Sequence, residues 1–324
     1  MIRFANKEDI PRIMRFLGSH WKKDHILSYN RDLFEFQHFW EDEVTFVISD
    51  TEQGMNGILG FIPYDKRKRD VMLVTWKALK TDDAFLGIDM LEYLRRNSDI
   101  RTVSSPGINP KTIPIYQFLG FETGVMKQWY RLCKNAEYQI AKIKDYEIPP
   151  ILASENAYIC EINDINQVSK SLETEYNSTK TGQLRKSLDY IKRRYFEHPI
   201  YNYLKYNIEK DEKNLLVVLR IQEYGNSSIL RVIDCIGDWE MFRFFSEQID
   251  YLMDKYGCEY SDCYESGLSD EIFREGGWKE SKKSGNITPD YFSPFEQRNV
   301  DIFYMSEIKN AVLFKGDGDM DRPS

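Results

Sequence analysis

The fold is decided by the stretch Asn109-Pro-Lys-Thr-Ile-Pro-Ile-Tyr116-Gln-Phe-Leu-Gly120-Phe121. A strand-like run over residues 100–105 precedes it, and the loop Pro106-Gly107-Ile108 lies between the two. Asn109 and Pro110 suit the start of a helix, and Gly120 suits its end, because the left-handed residue after a helix is most easily a glycine. The stretch therefore predicts a strand, a tight loop and a short helix over residues 111–119.

The elements before and after this stretch predict a mixed sheet. Hydrophobic periodicity predicts these strands and helices: a strand at 2–4, helices from residue 6 and at 31–40, strands at 44–49, 57–62 and 71–76, a helix at 84–96 and a last strand at 123–132. This order combines an antiparallel meander with helical crossovers. The predicted class is α/β or α+β, with one central sheet flanked by helices.

The same order of elements restarts after residue 157. The pattern predicts strands at 158–161, 203–208, 215–222, 228–234 and 259–264, and helices at 164–172, 183–196, 239–256 and 270–275. Its best-defined point is Phe273-Arg-Glu-Gly-Gly277-Trp278, which aligns with Tyr116 to Phe121. Residues 134–156 carry charges and Pro149-Pro150 without a clear period, as a linker does. We therefore predict two tandem domains, residues 1–135 and 158–324, joined by a linker at 136–157, with the second domain the more degenerate copy.

Composition excludes several classes of function. A chain of 324 residues with a net charge of −8 and a pI near 5.3 is unsuited to binding the phosphate backbone of nucleic acid. The sequence shows neither a secretory signal nor an apolar stretch of membrane-spanning length, so we expect a cytoplasmic protein without a membrane partner. The five cysteines are expected to be reduced thiols.

No metal site is predicted. Cys258 and Cys263 are close in sequence but lack a second pair of ligands, and the histidines at 20, 25 and 38 do not have ligand spacing. The acidic tail over residues 316–324 begins like a calcium loop, without the glutamate that completes one. A frayed terminus is the simpler interpretation, although Phe314-Lys315 is strand-like and favours docking of the tail on a domain.

The opening stretch resembles the motif Asn-x-x-Ala-x-x-x-Tyr-x-x-x-Gly-Phe of the GCN5-related N-acyltransferases, with Thr112 in place of the alanine. The resemblance covers residues 1–133 and, more weakly, 158–305. The segment from Trp21 to His38 is similar to a branch of that superfamily associated with bacterial surface-polysaccharide biosynthesis.

The resemblance implies a co-substrate, acetyl-CoA or another acyl-CoA, bound between central strands, and an amine that attacks its thioester. It implies that Tyr116 is the acid that protonates the departing thiolate, although a tyrosine that only packs on the helix face is the alternative. The implied acyl-CoA contacts are Trp76, Lys77, Leu86, Gly87 and Asn109. The loop Asp82-Asp83-Ala84-Phe85-Leu86-Gly87 keeps only the last glycine of the family's phosphate-binding pattern.

The same resemblance places the acceptor beside the first two helices. The implied catalytic base is His25, and the implied substrate contacts are Trp21, Arg31, Glu35 and His38. Capping and packing are equally good explanations of the two histidines. The base can also lie elsewhere, because the strand at 71–76 carries no carboxylate after Asp70.

The second copy replaces the tyrosine by Phe273, which cannot donate a proton, so we expect it to contribute packing or a wall of the acceptor pocket. The predicted function is an acyl-CoA-dependent N-acyltransferase that acts on a small amine, an amino sugar or a nucleotide-linked amino sugar, for a surface glycan. A non-catalytic tandem module that binds a sugar or a protein is the alternative. A peptidoglycan-type aminoacyl transferase is a third interpretation, which the acidic charge disfavours because its donor is borne on tRNA.

Overall fold

The structure is a computed structural model that describes residues 1–66, 68–80, 85–153, 156–168, 172, 183–292 and 294–323. Two compact units divide the chain: unit 1 holds residues 1–105 and 318–324, and unit 2 holds residues 106–317. No helix in these described ranges is both long and apolar enough to cross a membrane.

The secondary-structure elements are as follows. The strands are β1 (Ile2–Phe4), β2 (Phe39–Trp40), β3 (Glu43–Val44), β4 (Phe46–Thr51), β5 (Gly54–Pro63), β6 (Asp70–Ala78), β7 (Thr102–Pro106), β8 (Glu122–Val125), β9 (Lys127–Leu132), β10 (Tyr158–Glu161), β11 (Leu204–Lys210), β12 (Lys213–Tyr224), β13 (Ser227–Gly237), β14 (Cys258–Ser266), β15 (Lys279–Glu280), β16 (Phe303–Ser306) and β17 (Leu313–Phe314). The α-helices are α1 (Ile10–Phe16), α2 (Arg31–His38), α3 (Leu86–Arg96), α4 (Ile113–Phe118), α5 (Leu188–Ile191), α6 (Ser246–Tyr256), α7 (Asp270–Glu275) and α8 (Ser281–Ser284).

Unit 1 is a mixed sheet with helices. Its strands follow the order β1-β4-β5-β6-β7, antiparallel except for the parallel pair of β6 and β7. Apolar residues of α1 and α2 pack against β4 and β5, with the rings of Phe34 and Phe46 stacked 5.7 Å apart. Burial of these apolar faces is the main stabilising contribution to the unit.

Unit 2 contains a second mixed sheet in the order β10-β11-β12-β13-β14-β9-β15. Its core lies between this sheet and α6, α7 and the 3-10 segment Trp239–Phe244. Within it the rings of Trp129 and Phe273 stack 4.8 Å apart. The predicted class, mixed central sheets flanked by helices, is confirmed in both units.

The last strands of the two sequence halves are exchanged. The sequence predicted one strand at 123–132, but two strands are found. β8 pairs antiparallel with β16, which lies in the second half of the sequence. β9 lies in the second sheet instead, between β14 and β15. Each half of the sequence therefore supplies a strand beside elements of the other half.

The aligned stretches of the repeat adopt the same turn. Gly120 and Gly277 both have positive φ, +86° and +73°, as the residue after a helix often does. The N–H of Phe121 donates to the carbonyl of Tyr116 at 3.0 Å, and the N–H of Trp278 donates to the carbonyl of Phe273 at 2.9 Å. The sequence alignment thus paired residues with the same backbone geometry.

Replacing each glycine by alanine should distinguish the cost of left-handed backbone strain from the cost of a steric clash. A Cβ on Gly120 has no atom within 4 Å, so Gly120→Ala should cost only the left-handed strain, about 1 kcal/mol. A Cβ on Gly277 would lie 2.6 Å from Arg131 Nη1 and 2.7 Å from the Pro149 carbonyl oxygen. Gly277→Ala should therefore cost about 3 kcal/mol. Urea unfolding of both variants measures the difference, and equal losses would contradict the contact geometry at Gly277.

Two segments that were predicted from the sequence as a linker and a frayed terminus are packed within unit 2. The backbone N–H groups of Gln139, Ile140 and Ala141 donate to the Glu259 carboxylate at 2.7 to 2.9 Å, inside the predicted linker. In the tail, β17 pairs with β14, and Asp317 is fully buried. The interpretation of residues 316–324 as a frayed terminus is therefore wrong at Asp317, and the alternative, docking favoured by the strand-like Phe314-Lys315, is correct for this segment.

Two predicted helices differ from the structure. The helix expected at 239–256 is a 3-10 segment, Trp239–Phe244, followed by α6. Of the helix expected at 164–172, the structure shows a 3-10 turn at Ile165–Gln167, while residues 169–171 lie outside the described residues.

The buried side chain of Glu265 makes the stability of unit 2 depend on pH. Its carboxylate accepts hydrogen bonds from Trp129 Nε1 and the Leu268 N–H, at 2.9 and 3.1 Å. Burial nevertheless raises its pKa from 4.5 to about 7. Since the folded pKa exceeds the unfolded one, the contribution of Glu265 to stability is greatest below about pH 4.5 and is lost as pH rises towards 7.

This contribution should amount to about 3 kcal/mol across that pH window. Glu265→Gln should remove it, leaving a shallower decline of unfolding free energy between pH 4.5 and 7 than in the unaltered chain. Denaturant titrations at several pH values measure both curves. Equal slopes of unfolding free energy against pH in the two proteins would contradict the assignment of this pH dependence to Glu265.

Candidate active site

Strands β6 and β7 pair and then separate, which leaves an opening in the sheet of unit 1. Their parallel pairing ends at Met72 and Ser104, while β6 continues to Ala78 beside β5. The Ser105 hydroxyl donates to the Leu73 carbonyl at 2.8 Å where the strands separate. We name this opening the first groove. Beyond Met72, β6 stays paired with β5 on one side, while its pairing with β7 on the other side has ended.

A β-bulge lies on β6 at the same place. Leu59 pairs with Trp76 and Phe61 pairs with Leu73, so β6 has one residue more than β5 between these pairs. Val74 and Thr75 lie in this interval. Bulges redirect main-chain groups and side chains, and they are common beside functional sites. The bulge was not predicted from the sequence, because the residue pattern of the run Val-Thr-Trp is also that of a regular strand.

Helix α3 begins beside the end of β6. Its first residue, Leu86, is buried, and a Cβ on Gly87 would lie 3.3 Å from the Trp76 ring. The structure therefore brings Trp76 and Gly87 together, as expected of neighbours in one site. Lys77 is half-buried on β6, and its backbone pairs with Ile58. The first residues of the predicted phosphate loop, 82–84, lie outside the described residues.

Asn109 and Tyr116 lie at the two ends of the short helical segment in unit 2. The Asn109 side chain accepts a hydrogen bond from the Lys111 N–H at 3.0 Å and is exposed, so it caps the 3-10 turn Pro110–Thr112. Tyr116 is 4% exposed, and its ring meets Phe121 edge-on at 5.6 Å. Burial raises the pKa of Tyr116 well above its ordinary value. The phenol is therefore protonated at neutral pH and is a weaker acid than an exposed tyrosine.

Solved structures share this architecture. A GCN5-related N-acetyltransferase from Anabaena variabilis is 12% identical and matches with a TM-score of 0.58, over 94% of this chain and 72% of its own. A proposed acetyltransferase from Pyrococcus horikoshii is 11% identical and matches with a TM-score of 0.50, over 98% of this chain and 94% of its own. The chain has the fold of the GCN5-related N-acetyltransferases. No known family profile and no curated protein matches the sequence.

Other residues expected at the acceptor side of this acetyltransferase fold have diverse surroundings. His25 is half-buried, and its Nδ1 accepts from the Leu27 N–H at 3.3 Å. Burial lowers the pKa of His25, so the ring is neutral at pH 7. Since Nδ1 is the acceptor, Nε2 carries the proton of the neutral ring. In this arrangement His25 can donate a hydrogen bond but has no free lone pair for proton abstraction.

The remaining expected contacts divide into exposed and buried groups. Trp21 is 42% exposed, and Arg31 Nε pairs with Glu35 Oε1 at 2.7 Å on the surface of α2. His38 is 1% exposed, with its Nδ1 3.0 Å from Thr45 Oγ1 and its ring 4.6 Å from that of Phe46. This environment favours a structural role for His38.

Phe273, which aligns with Tyr116 in sequence, is a core residue. Phe273 is 1% exposed among Trp129, Phe242 and Trp278. Strand β13 carries a bulge like that of β6, with Ile233 as the additional residue opposite Val218 and Leu219. Within the described residues, no three His, Cys, Asp or Glu side chains are grouped to hold a metal ion.

Proposed function

We propose that the chain is an acyl-CoA-dependent N-acyltransferase and that the first groove receives the acyl-CoA. The observation that carries this proposal is the separation of β6 and β7 past Met72 and Ser104, combined with the bulge at Val74 and Thr75. The pantetheine arm of CoA carries amide N–H and C=O groups. These groups complement a strand whose main chain faces an opening.

The residues at the start of α3 fit a diphosphate in part. The first N–H groups of a helix have no partner within it, and the helix dipole favours an anion there. Gly87 lets the helix start closely against Trp76. In sequence, however, Asp82 and Asp83 precede this helix, and carboxylates repel a diphosphate. Because α3 begins beside the end of β6, we propose Trp76, Lys77, Leu86 and Gly87 as the acyl-CoA contacts.

In the proposed reaction, an amine attacks the thioester carbonyl, the carbon–sulfur bond breaks, and an amide and a thiol form. Tyr116 gives its hydroxyl proton to the departing sulfur, and the phenolate that forms takes a proton back from solvent before the next turnover. A main-chain N–H of the bulged strand supplies the hydrogen bond for the carbonyl oxygen as negative charge develops. Asn109 holds the helix that carries Tyr116. The proton released by the amine leaves to solvent, with His25 as a hydrogen-bond donor to the acceptor.

The proposed acceptor is an amino sugar or a nucleotide-linked amino sugar of a surface glycan. Trp21 offers an exposed aromatic surface, and the Arg31 guanidinium suits a phosphate or carboxylate. Glu35 can orient a protonated amine before it loses its proton. His38 is proposed to support α2 from within, through Thr45.

The test is release of free CoA thiol from acetyl-CoA in the presence of different amines. Glucosamine, a uridine-diphosphate amino sugar and an alkyl polyamine form the panel, and mass spectrometry identifies the acylated product. We expect amine-dependent thiol release with an amino-sugar acceptor. Release no faster than in buffer with every acceptor and several acyl chain lengths would contradict the proposal.

A non-catalytic module that binds a sugar or a protein is the second candidate. The carboxylates Asp82 and Asp83 and the phenylalanine at 273 favour it, because they remove groups that acyl transfer uses. This candidate predicts that an amino sugar raises the melting temperature while acetyl-CoA neither binds nor loses its acyl group.

A further inference from the structure

The second sheet also opens between its parallel strands. β13 and β14 are paired as far as Val232 and Cys263, after which β13 continues to Gly237 beside β12 and β14 continues to Ser266 beside β9. We name this opening the second groove. It begins beside the bulge at Ile233, at the position in the repeat where the first groove begins beside the bulge of β6.

The chain's own C-terminal segment, residues 311–317, lies in the second groove. Its strand β17 pairs antiparallel with β14, with Phe314 opposite Glu265 and Leu313 opposite Ser266. On the other side, the Gly316 N–H donates to the Ile233 carbonyl at 2.7 Å. The segment therefore bonds to both separated strands and satisfies main-chain groups that would otherwise be buried without partners.

Small residues give the C-terminal segment its close fit. A Cβ on Gly316 would lie 2.7 Å from Tyr195 Oη and 2.9 Å from the Ile233 carbonyl oxygen. Gly267 has a φ of +82°, and a Cβ there would lie 2.7 Å from the Ala311 carbonyl oxygen. That carbonyl also accepts from the Ser266 hydroxyl at 2.8 Å. The groove and the segment are thus complementary at both ends.

Buried charges hold the segment in place. Lys186 Nζ lies 2.8 Å from Asp317 Oδ1 and 2.7 Å from Asp234 Oδ2, and both carboxylates are fully buried. Asp317 Oδ2 accepts from the Phe314 N–H at 2.7 Å. Lys315 forms a further buried pair with Asp290. Removing one member of such a cluster is costly, because the remaining charge is left buried without compensation.

We propose that residues 311–317 are a built-in ligand of the second groove, in the place that corresponds to the acyl-CoA site of the first groove. The chain then binds one acyl-CoA and not two. The number of acyl-CoA molecules bound, one per chain, rests on the proposed function. The position of the segment rests on the hydrogen bonds and ion pairs alone.

The test combines hydrogen–deuterium exchange with a calorimetric titration of the full chain. We expect the amides of residues 313–317 to be strongly protected, to stay protected with saturating acetyl-CoA, and the titration to give a stoichiometry of one. Lys186→Met should raise exchange in this segment at least roughly 10-fold. Lys192→Met is the matched control, since Lys192 forms an exposed ion pair with Glu197, and it should leave exchange unchanged.

Exchange as fast as in a free peptide, or release of the segment by acetyl-CoA with a stoichiometry of two, would overturn the inference. The unaltered chain decides this point even where Lys186→Met does not fold. A protected segment together with a titration that gives no heat would contradict the proposed function and the count of one acyl-CoA. It would support the occupancy of the second groove.

Discussion

A fragment that begins at residue 136 should fail to fold, whereas a fragment that begins at residue 126 should unfold cooperatively. The first start point follows the predicted end of the N-terminal domain, and the second retains β9. The difference is large because β9 lies inside the second sheet, with β14 on one side and β15 on the other.

The side chains of β9 explain the size of the effect. Trp129, Tyr130 and Leu132 are each at most 3% exposed, and removal of one large core side chain costs about 3 to 5 kcal/mol. Without the strand, Glu265 and Asp250 also lose their bonds to Trp129 and Arg131. The sum exceeds the roughly 5 to 15 kcal/mol by which a domain is stable.

Circular dichroism and thermal unfolding distinguish the fragments. The fragment from residue 126 lacks β8, which pairs with β16 at the edge of the described part of unit 2, and should lose little. A cooperative transition of equal midpoint in both fragments would contradict the placement of β9.

Tyr116→Phe should lower the rate of acyl transfer by roughly 100-fold while the affinity for acyl-CoA changes little. The substitution removes only the hydroxyl, so the ring still packs against Phe121. Loss of a proton donor acts on the transition state, which lowers kcat without a matching change in binding. Thiol release and calorimetry provide the two quantities.

The matched control is Tyr251→Phe, because Tyr251 lies on α6 in the same unit and is 58% exposed. It should retain the full rate. An equal loss of rate and of affinity in Tyr116→Phe would assign Tyr116 to packing, and an unchanged rate would remove it from the reaction.

Local patterns predicted much of the secondary structure. Sequence patterns located the strands at 71–76 and 259–264 and the helix ending at Arg96. The helix has an apolar face in its own sequence, with Met90, Leu91 and Leu94 buried. The alignment of Tyr116 with Phe273 also held at the level of backbone angles, since Gly120 and Gly277 are both left-handed. Such features depend on neighbours in sequence.

Pairing between distant segments could not be predicted in the same way. A strand such as β9 has the same alternation whichever sheet it joins, so the exchange of β9 and β16 left no local signal. The tail gave a similar problem. The carboxylates of the tail favour a solvated terminus when the local sequence is considered alone. The structure places Lys186, which lies 131 residues before Asp317 in sequence, beside the Asp317 carboxylate.

The candidate site residues stay predictions from residue type, and the sequence did not reveal the surroundings of their side chains. Trp76 and Gly87 lie close together, and Tyr116 is buried against Phe121. His25 and His38 have equivalent appearances in sequence, yet one caps a turn near the surface and the other lies in the core beside Thr45. The bulge of β6 arises from its register with β5, which the sequence of either strand alone does not reveal.

Calorimetric titration of the full chain with acetyl-CoA tests the central claim most directly. The claim is that the first groove binds acyl-CoA, and it predicts saturable heat with a matching rise in melting temperature. Gly87→Val should weaken this binding, because its side chain would enter the space of the Trp76 ring. Absence of both heat and thermal stabilisation at millimolar acetyl-CoA, with longer acyl chains giving the same result, would contradict it.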